Sequence, residues 1–267
     1  MAGRAPFIVG NWKMHMDRAK AREFCASLRG LEAELQKDGL PPGAIRLGLC
    51  PPFVYLAEVV AALAGTRIAV GGQTCRPEAQ GAFTGETSAR MVKDAGASHV
   101  IVGHSERRRL FGEGDAEIRA RLDAALAAGL DVIFCLGETL DERNASRTDE
   151  VVLRQLEAGV RGLPGDTLVN HVTIAYEPVW AIGTGIVATP AQAQQVHALL
   201  RRQLGELAGQ DAAARTTIQY GGSVKPENIA DLFASPDVDG ALVGGASLEF
   251  PLFAAIVRLA APAAKAR

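Results

Sequence analysis

The chain has 267 residues, is 48% hydrophobic and 22% charged, and carries a formal net charge of −2. These values fit a globular chain with a large buried core and give no reason to expect nucleic acid or a membrane surface as a partner. No apolar stretch reaches 18 residues and MAGRAPFIVGNWK is too weakly apolar for a signal peptide, so a cytoplasmic protein is expected.

Eight short apolar runs punctuate the sequence. In order they are FIVGNW from Phe7, IRLGLC from Ile45, RIAVGG from Arg67, HVIVGH from His99, DVIFCLG from Asp131, VTIAYE from Val172, TTIQYGG from Thr216 and GALVGG from Gly240. Continuous rather than alternating hydrophobicity predicts strands buried on both faces. Helical patterns lie between them. Phe24, Leu28, Leu31 and Leu35 share one helix face after the first run. Ile118, Leu122, Ala125 and Leu126 do the same after the fourth, and Gly129 supplies a stop. After the sixth run, Thr189, Pro190 and Gln192 predict an N-cap, a first helical residue and a reciprocal cap. That helix continues through Val196, Leu199, Leu200, Leu204 and Leu207. Alternating β and α elements predict a parallel sheet, and eight units in this length predict a closed (β/α)8 barrel. The competing open, doubly wound sheet lacks a GxGxxG after its first strand. Nothing resembling a linker divides the chain, so residues 1–267 are expected to form a single domain.

The four cysteines, Cys25, Cys50, Cys75 and Cys135, make no CxxC, and the five histidines make no HExxH. Reduced thiols and no metal site are the expectation.

Barrel sites gather at the C-terminal ends of the strands, so the residues just past each run form a candidate list. These are Asn11 and Lys13, then His104, Ser105 and Glu106, then Glu177, then Gly221, Gly222 and Ser223, then Gly244 and Gly245. Pro178 stops the sixth strand just after Glu177, and the apolar Val179–Ile182 followed by Gly183-Thr184-Gly185 suggests a lid over a base. Two glycine-rich turns after the last two strands favour a phosphate on uncrowded backbone N–H groups. Lys13 also reads as a solvated cation, His104 as a structural histidine, and the glycines as simple tight turns.

The motifs NWKM (11–14), GAFTGE (81–86), VGHSERR (102–108), AYEPVWAIGTG (175–185), YGGSV (220–224) and LVGGASL (242–248), in this order and spacing, resemble the triosephosphate isomerase family over essentially the whole chain. The resemblance implies interconversion of dihydroxyacetone phosphate and D-glyceraldehyde 3-phosphate through an enediolate, in glycolysis and gluconeogenesis, with no cofactor or metal. It implies Glu177 as base, neutral His104 as electrophile, Lys13 as the positive charge and Asn11 as a hydrogen-bonding partner of the reacting oxygens. Ser105 would hold Glu177 in the open state, with Glu106 behind Lys13. The phosphate would meet Gly183, Ser223, Gly244 and Gly245 under a lid from Pro178 to about Ala188, latched against Tyr220 to Ser223. The segment Gln73–Thr87 would reach a partner's site, with Thr84 touching the partner's Asn11 and Lys13 region in a homodimer. Two departures stand out: Ile186-Val187 where relatives often carry a basic residue, and Gln73-Thr74 where many have Gln-Asn. Two other functions are compatible with a barrel: a different phosphate-binding isomerase or lyase, and a non-catalytic scaffold. The first would need another base and a larger pocket; the second has no use for the set Lys13, His104 and Glu177.

Overall fold

The computed structural model describes residues 4–183 and 187–266, and beyond 261 the backbone alone. Eight parallel strands close on themselves: β1 Phe7–Asn11, β2 Arg46–Cys50, β3 Ala69–Gly72, β4 His99–Val102, β5 Asp131–Leu136, β6 Val172–Tyr176, β7 Ile218–Tyr220 and β8 Gly240–Val243. Closure is made by β1 lying against β8, with Phe7 opposite Gly240 and Val9 opposite Leu242. Every predicted run contains one of these strands.

Helices follow each strand: α1 Arg18–Lys37, α2 Leu56–Ala62, α3 Ala89–Asp94, α4 Ser105–Phe111, α5 Asp115–Ala127, α6 Leu140–Asn144, α7 Thr148–Val160, α8 Gly165–His171, α9 Pro190–Ala208, α10 Gln210–Arg215, α11 Pro226–Phe233 and α12 Phe250–Ala266. Phe24, Leu28, Leu31 and Leu35 form the buried stripe of α1. In α9 the Thr189 side chain accepts from Gln192 N while Gln192 returns the bond, as the capping pattern predicted. Gly129 ends the α5 unit with φ +75°, a conformation that excludes most side chains.

Two packed regions result. Phe7, Val9, Cys50, Ile101, Ile133, Cys135, Ala175 and Leu242 form a compact inner cluster, the filled barrel interior. A larger cluster joins the outward strand faces to the helices. The four cysteines are buried and unpaired, and burial pushes Cys50 and Cys75 up to about 12, so both stay as thiols. The opposite pole is tied by charge: buried Asp239 accepts from Arg4 and Arg201, each at 2.6 Å, and from the Ile218 amide.

Two histidines are buried as neutral rings. His197 faces the Asp237 carbonyl through Nδ1 at 3.1 Å, and burial pulls its pKa down to about 4. Burial pulls His99 to about 4 as well, against the opposing pull of Asp131 and with Arg46 and Lys93 adding to the depression. An unfolded histidine titrates near 6.5, so between about pH 6.5 and 4 the unfolded chain binds protons that the folded chain refuses. Stability should therefore fall on acidification through that window, each histidine contributing up to about 1.4 kcal/mol per pH unit. Denaturant unfolding at pH 7, 6 and 5 should show a shallower decline for His197→Gln than for the parent. Equal declines would refute this assignment.

Candidate active site

The strand ends bring the predicted side chains to one mouth. Asn11, Lys13, His104, Glu106, Glu177, Gly183, Ser223, Gly244 and Gly245 line a single cavity of about 1240 Å³. Ser105 lies beneath it, buried, at the first position of α4.

Glu177 follows β6 directly and is 1% exposed. Its Oε2 accepts from Ser105 N at 2.8 Å, and its Oε1 lies 3.0 Å from His104 Nε2. Ser105 thus meets the carboxylate through its amide. His104 is the N-cap of α4, and its Nδ1 accepts from Glu106 N at 3.2 Å. With Nδ1 occupied as an acceptor, the neutral ring carries its proton on Nε2, facing Glu177. Burial by itself would raise the Glu177 pKa, but His104, the Ser105 amide and Lys13 outweigh it and hold the carboxyl below its ordinary value. Burial by itself would lower His104, and the Glu177 carboxylate outweighs that and raises it. The contact between the two side chains contributes to both shifts, and that contribution lasts only while the pair faces each other.

Lys13 comes off β1 with φ +51°, in the left-handed region, its amide bonded to Asn11 Oδ1 at 3.0 Å. Gln73 Nε2 clamps this corner by donating to Lys13 O at 2.8 Å and Cys50 O at 2.9 Å. Lys13 Nζ lies 2.6 Å from Glu106 Oε1, as placed in sequence. The turn after β8 is tightened by Ser247 Oγ, which donates to Gly244 O at 2.7 Å. The turn after β7 is tightened by Asn228 Nδ2, which donates to Ser223 O at 2.9 Å.

The segment expected to form the lid begins as a 3-10 turn, Val179–Ala181, with Trp180 and Ala181 buried. Thr184, Gly185 and Ile186 lie outside the described residues, and so does the departure at Ile186. The described stem rests on Glu138, which the sequence reading passed over. Fully buried, Glu138 accepts from Tyr176 OH at 3.1 Å, Trp180 Nε1 at 2.9 Å and Arg143 Nη1 at 3.1 Å, and its carbonyl accepts from Val179 N. Arg143 also lies over the Trp180 ring at 4.5 Å. The rule used for the other strands finds it: Glu138 is the first residue after DVIFCLG.

The segment Gln73–Thr87 closes at its stem, where Arg76 N donates to Thr87 O at 2.8 Å. Thr74 finds support in spite of its departure from the common pattern, accepting from buried Arg121 at 3.3 Å, and Arg121 also pairs with Glu113 and Glu117.

The triosephosphate isomerase family model matches residues 6–260. A triosephosphate isomerase from Symbiobacterium thermophilum is 50% identical over 97% of this chain and 98% of its own length. One from Moorella thermoacetica is 51% identical over 95% and 98%. The crystal structure of triosephosphate isomerase from Bartonella henselae superposes with a TM-score of 0.83 at 39% identity, covering 96% of this chain and 98% of that one.

Replacing Glu138 with Ala would leave buried donors on Tyr176 and Trp180 and the Arg143 charge without their acceptor. The expected loss of stability is about 3 kcal/mol, with Trp180 fluorescence shifted to the red as its stem loosens. Denaturant unfolding with an emission scan measures both, and an unchanged midpoint would show that the anchor carries no weight.

Proposed function

The chain belongs to the triosephosphate isomerase family, and from that premise we propose the part each residue plays at its site. The activity is aldose–ketose isomerisation: dihydroxyacetone phosphate and D-glyceraldehyde 3-phosphate are interconverted, a step of glycolysis. Glu177 is the base. It takes the proton from the carbon next to the carbonyl of dihydroxyacetone phosphate, and His104 Nε2–H hydrogen-bonds the carbonyl oxygen as it gains charge. The hydroxyl proton passes from one enediolate oxygen to the other, and Glu177 returns the carbon-bound proton to the neighbouring carbon, giving the aldehyde and the ionised base. Lys13 supplies positive charge to the oxyanion and the phosphate, and Asn11 completes the polar wall. The amides of Gly183, Ser223, Gly244 and Gly245 receive the phosphate. The observation that carries this reading is the contact from Glu106 N to His104 Nδ1, which leaves Nε2 to bear the ring proton toward the cavity and Glu177.

The chain works as a single domain in the cytoplasm and as a homodimer through the 73–87 segment. Supporting the dimer are exposed Met14, Phe83, Leu110 and Phe111. They sit on segments that Gln73, Arg76, Arg107 and Arg121 tie together. Isolated protomers are weakly active on this reading, because Thr84 completes the partner's Lys13 region.

Turnover of glyceraldehyde 3-phosphate, coupled to an NADH-consuming reductase, tests the base. Glu177→Gln should lose roughly 10²-fold or more, the contribution of a general base. Equal rates in the two proteins would remove Glu177 from that role. Phe83→Asp should shift sedimentation to the protomer mass and lower specific activity, whereas an unchanged mass would remove the 73–87 segment as the interface.

A further inference from the structure

The corner at Gly137 poses a hydrogen-bonding problem that a residue on the helix layer solves. Leu136 O and Glu138 O accept from Glu177 N at 2.7 Å and Val179 N at 3.1 Å, so these flanking residues bond toward β6. Alternation along a strand turns the N–H and C=O of Gly137 to the other side. There β4 has already ended at Val102, whose partner is Phe134. Left alone, both groups would be buried orphans. Gln155 of α7, itself buried, closes both: Oε1 accepts from Gly137 N at 2.9 Å and Nε2 donates to Gly137 O at 3.3 Å. A carboxamide carries one acceptor and one donor side by side, the pair that a neighbouring strand would have offered.

Two close approaches make this corner stiff. A Cβ on Gly137 would sit 1.7 Å from the Glu177 carbonyl oxygen, so the two backbones touch. A Cβ on Gly159, one turn beyond Gln155 on the same helix face, would sit 2.3 Å from the Phe134 ring. That missing side chain lets α7 lie on β5 closely enough for the amide to reach.

We propose that Gln155 is a positioning residue for Glu177: it holds the Gly137–Glu138 corner against which the backbone of the base and the lid stem rest. The inference rests on Glu177 being the base.

Gln155→Met keeps the length of the side chain and removes both hydrogen bonds. The expected result is a roughly tenfold fall in kcat, equivalent to about 1.4 kcal/mol. KM and inhibition by inorganic phosphate, governed by the turns after β7 and β8, should stay within about threefold. Gly159→Ala, which presses α7 away from Phe134 without altering the amide, should lower kcat in the same direction, and the double variant should lose less than the product of the two. A lower unfolding midpoint with kcat unchanged per folded molecule would overturn the proposal, as would full additivity. Should Gln155→Met not fold, Gln155→Glu, which retains the oxygen facing Gly137 N, is read by the same criteria. Failure of the base itself is distinct: there Glu177→Gln would turn over like the parent. A silent Glu177→Gln beside a normal Gln155→Met removes only the role of Gln155.

Discussion

Glu177 is flanked on both sides by close approaches that leave no room for a neighbouring Cβ, and the site is organised by that exclusion. On one side a Cβ at Gly137 would meet its carbonyl oxygen at 1.7 Å; on the other a Cβ at Gly221 would meet its Cγ at 2.8 Å. These glycines follow β5 and β7, the two strands that flank β6 in the barrel. Backbone bonds continue past the strand ends, Glu177 N to Leu136 O and Gly221 N to Tyr176 O, each at 2.7 Å. The backbone of the residue is fixed by contact, and only its side-chain torsions remain free to move the carboxylate. A closed parallel barrel makes such flanking available because all eight strands deliver their exits to one mouth.

The sequence made the barrel legible for the same reason. Strands buried on both faces are continuous apolar runs, and each of the eight runs contains its strand. The capping box at Thr189 and the apolar stripe of α1 were equally readable, because they depend on neighbours in sequence. The short helices α6, α8 and α10 were not, since five to seven residues do not complete a periodic pattern. Glu106, His104 and Glu177 could be read from strand ends. Glu138 could have been, by the same rule. Gln155 could not: it is a mid-helix polar residue whose meaning lies in a backbone group 18 positions away. Nor could Arg121, an ordinary charge on a helix until packing buries it beside Thr74 and Cys75.

The root of the 73–87 segment is held by a buried guanidinium and an amide. Thr74 has a short polar side chain, and the guanidinium of Arg121 reaches its hydroxyl. Arg121 is 2% exposed and bears a full charge, so it is stable there only through Glu113 and Glu117. Arg107 shares Glu113 and stacks on Phe111 at 4.6 Å. At the other end Gln73 grips the Lys13 carbonyl. The root of the segment thus lies between an exposed apolar face and the positive-φ residue that carries the cation.

The resting pair of Glu177 and His104 adds a competition. His104 has a single proton on its cavity-facing nitrogen, and in the structure Glu177 Oε1 lies against it at 3.0 Å. On the proposed roles, a substrate carbonyl oxygen needs the same proton, so substrate and base cannot both hold the ring. When the carbonyl takes the donor, Glu177 loses His104 and, on swinging toward the substrate, the Ser105 amide. With Lys13, those partners hold its pKa down against burial. Without His104 and Ser105, burial is opposed by Lys13 alone, and the carboxylate becomes a stronger base at the moment a carbon acid is presented. His104, parted from the carboxylate, loses the charge that raised its pKa, and burial and the Glu106 amide keep it in the neutral form that donates from Nε2. The contact that quiets the base at rest is therefore the one that substrate binding removes, and basicity rises only in a filled site.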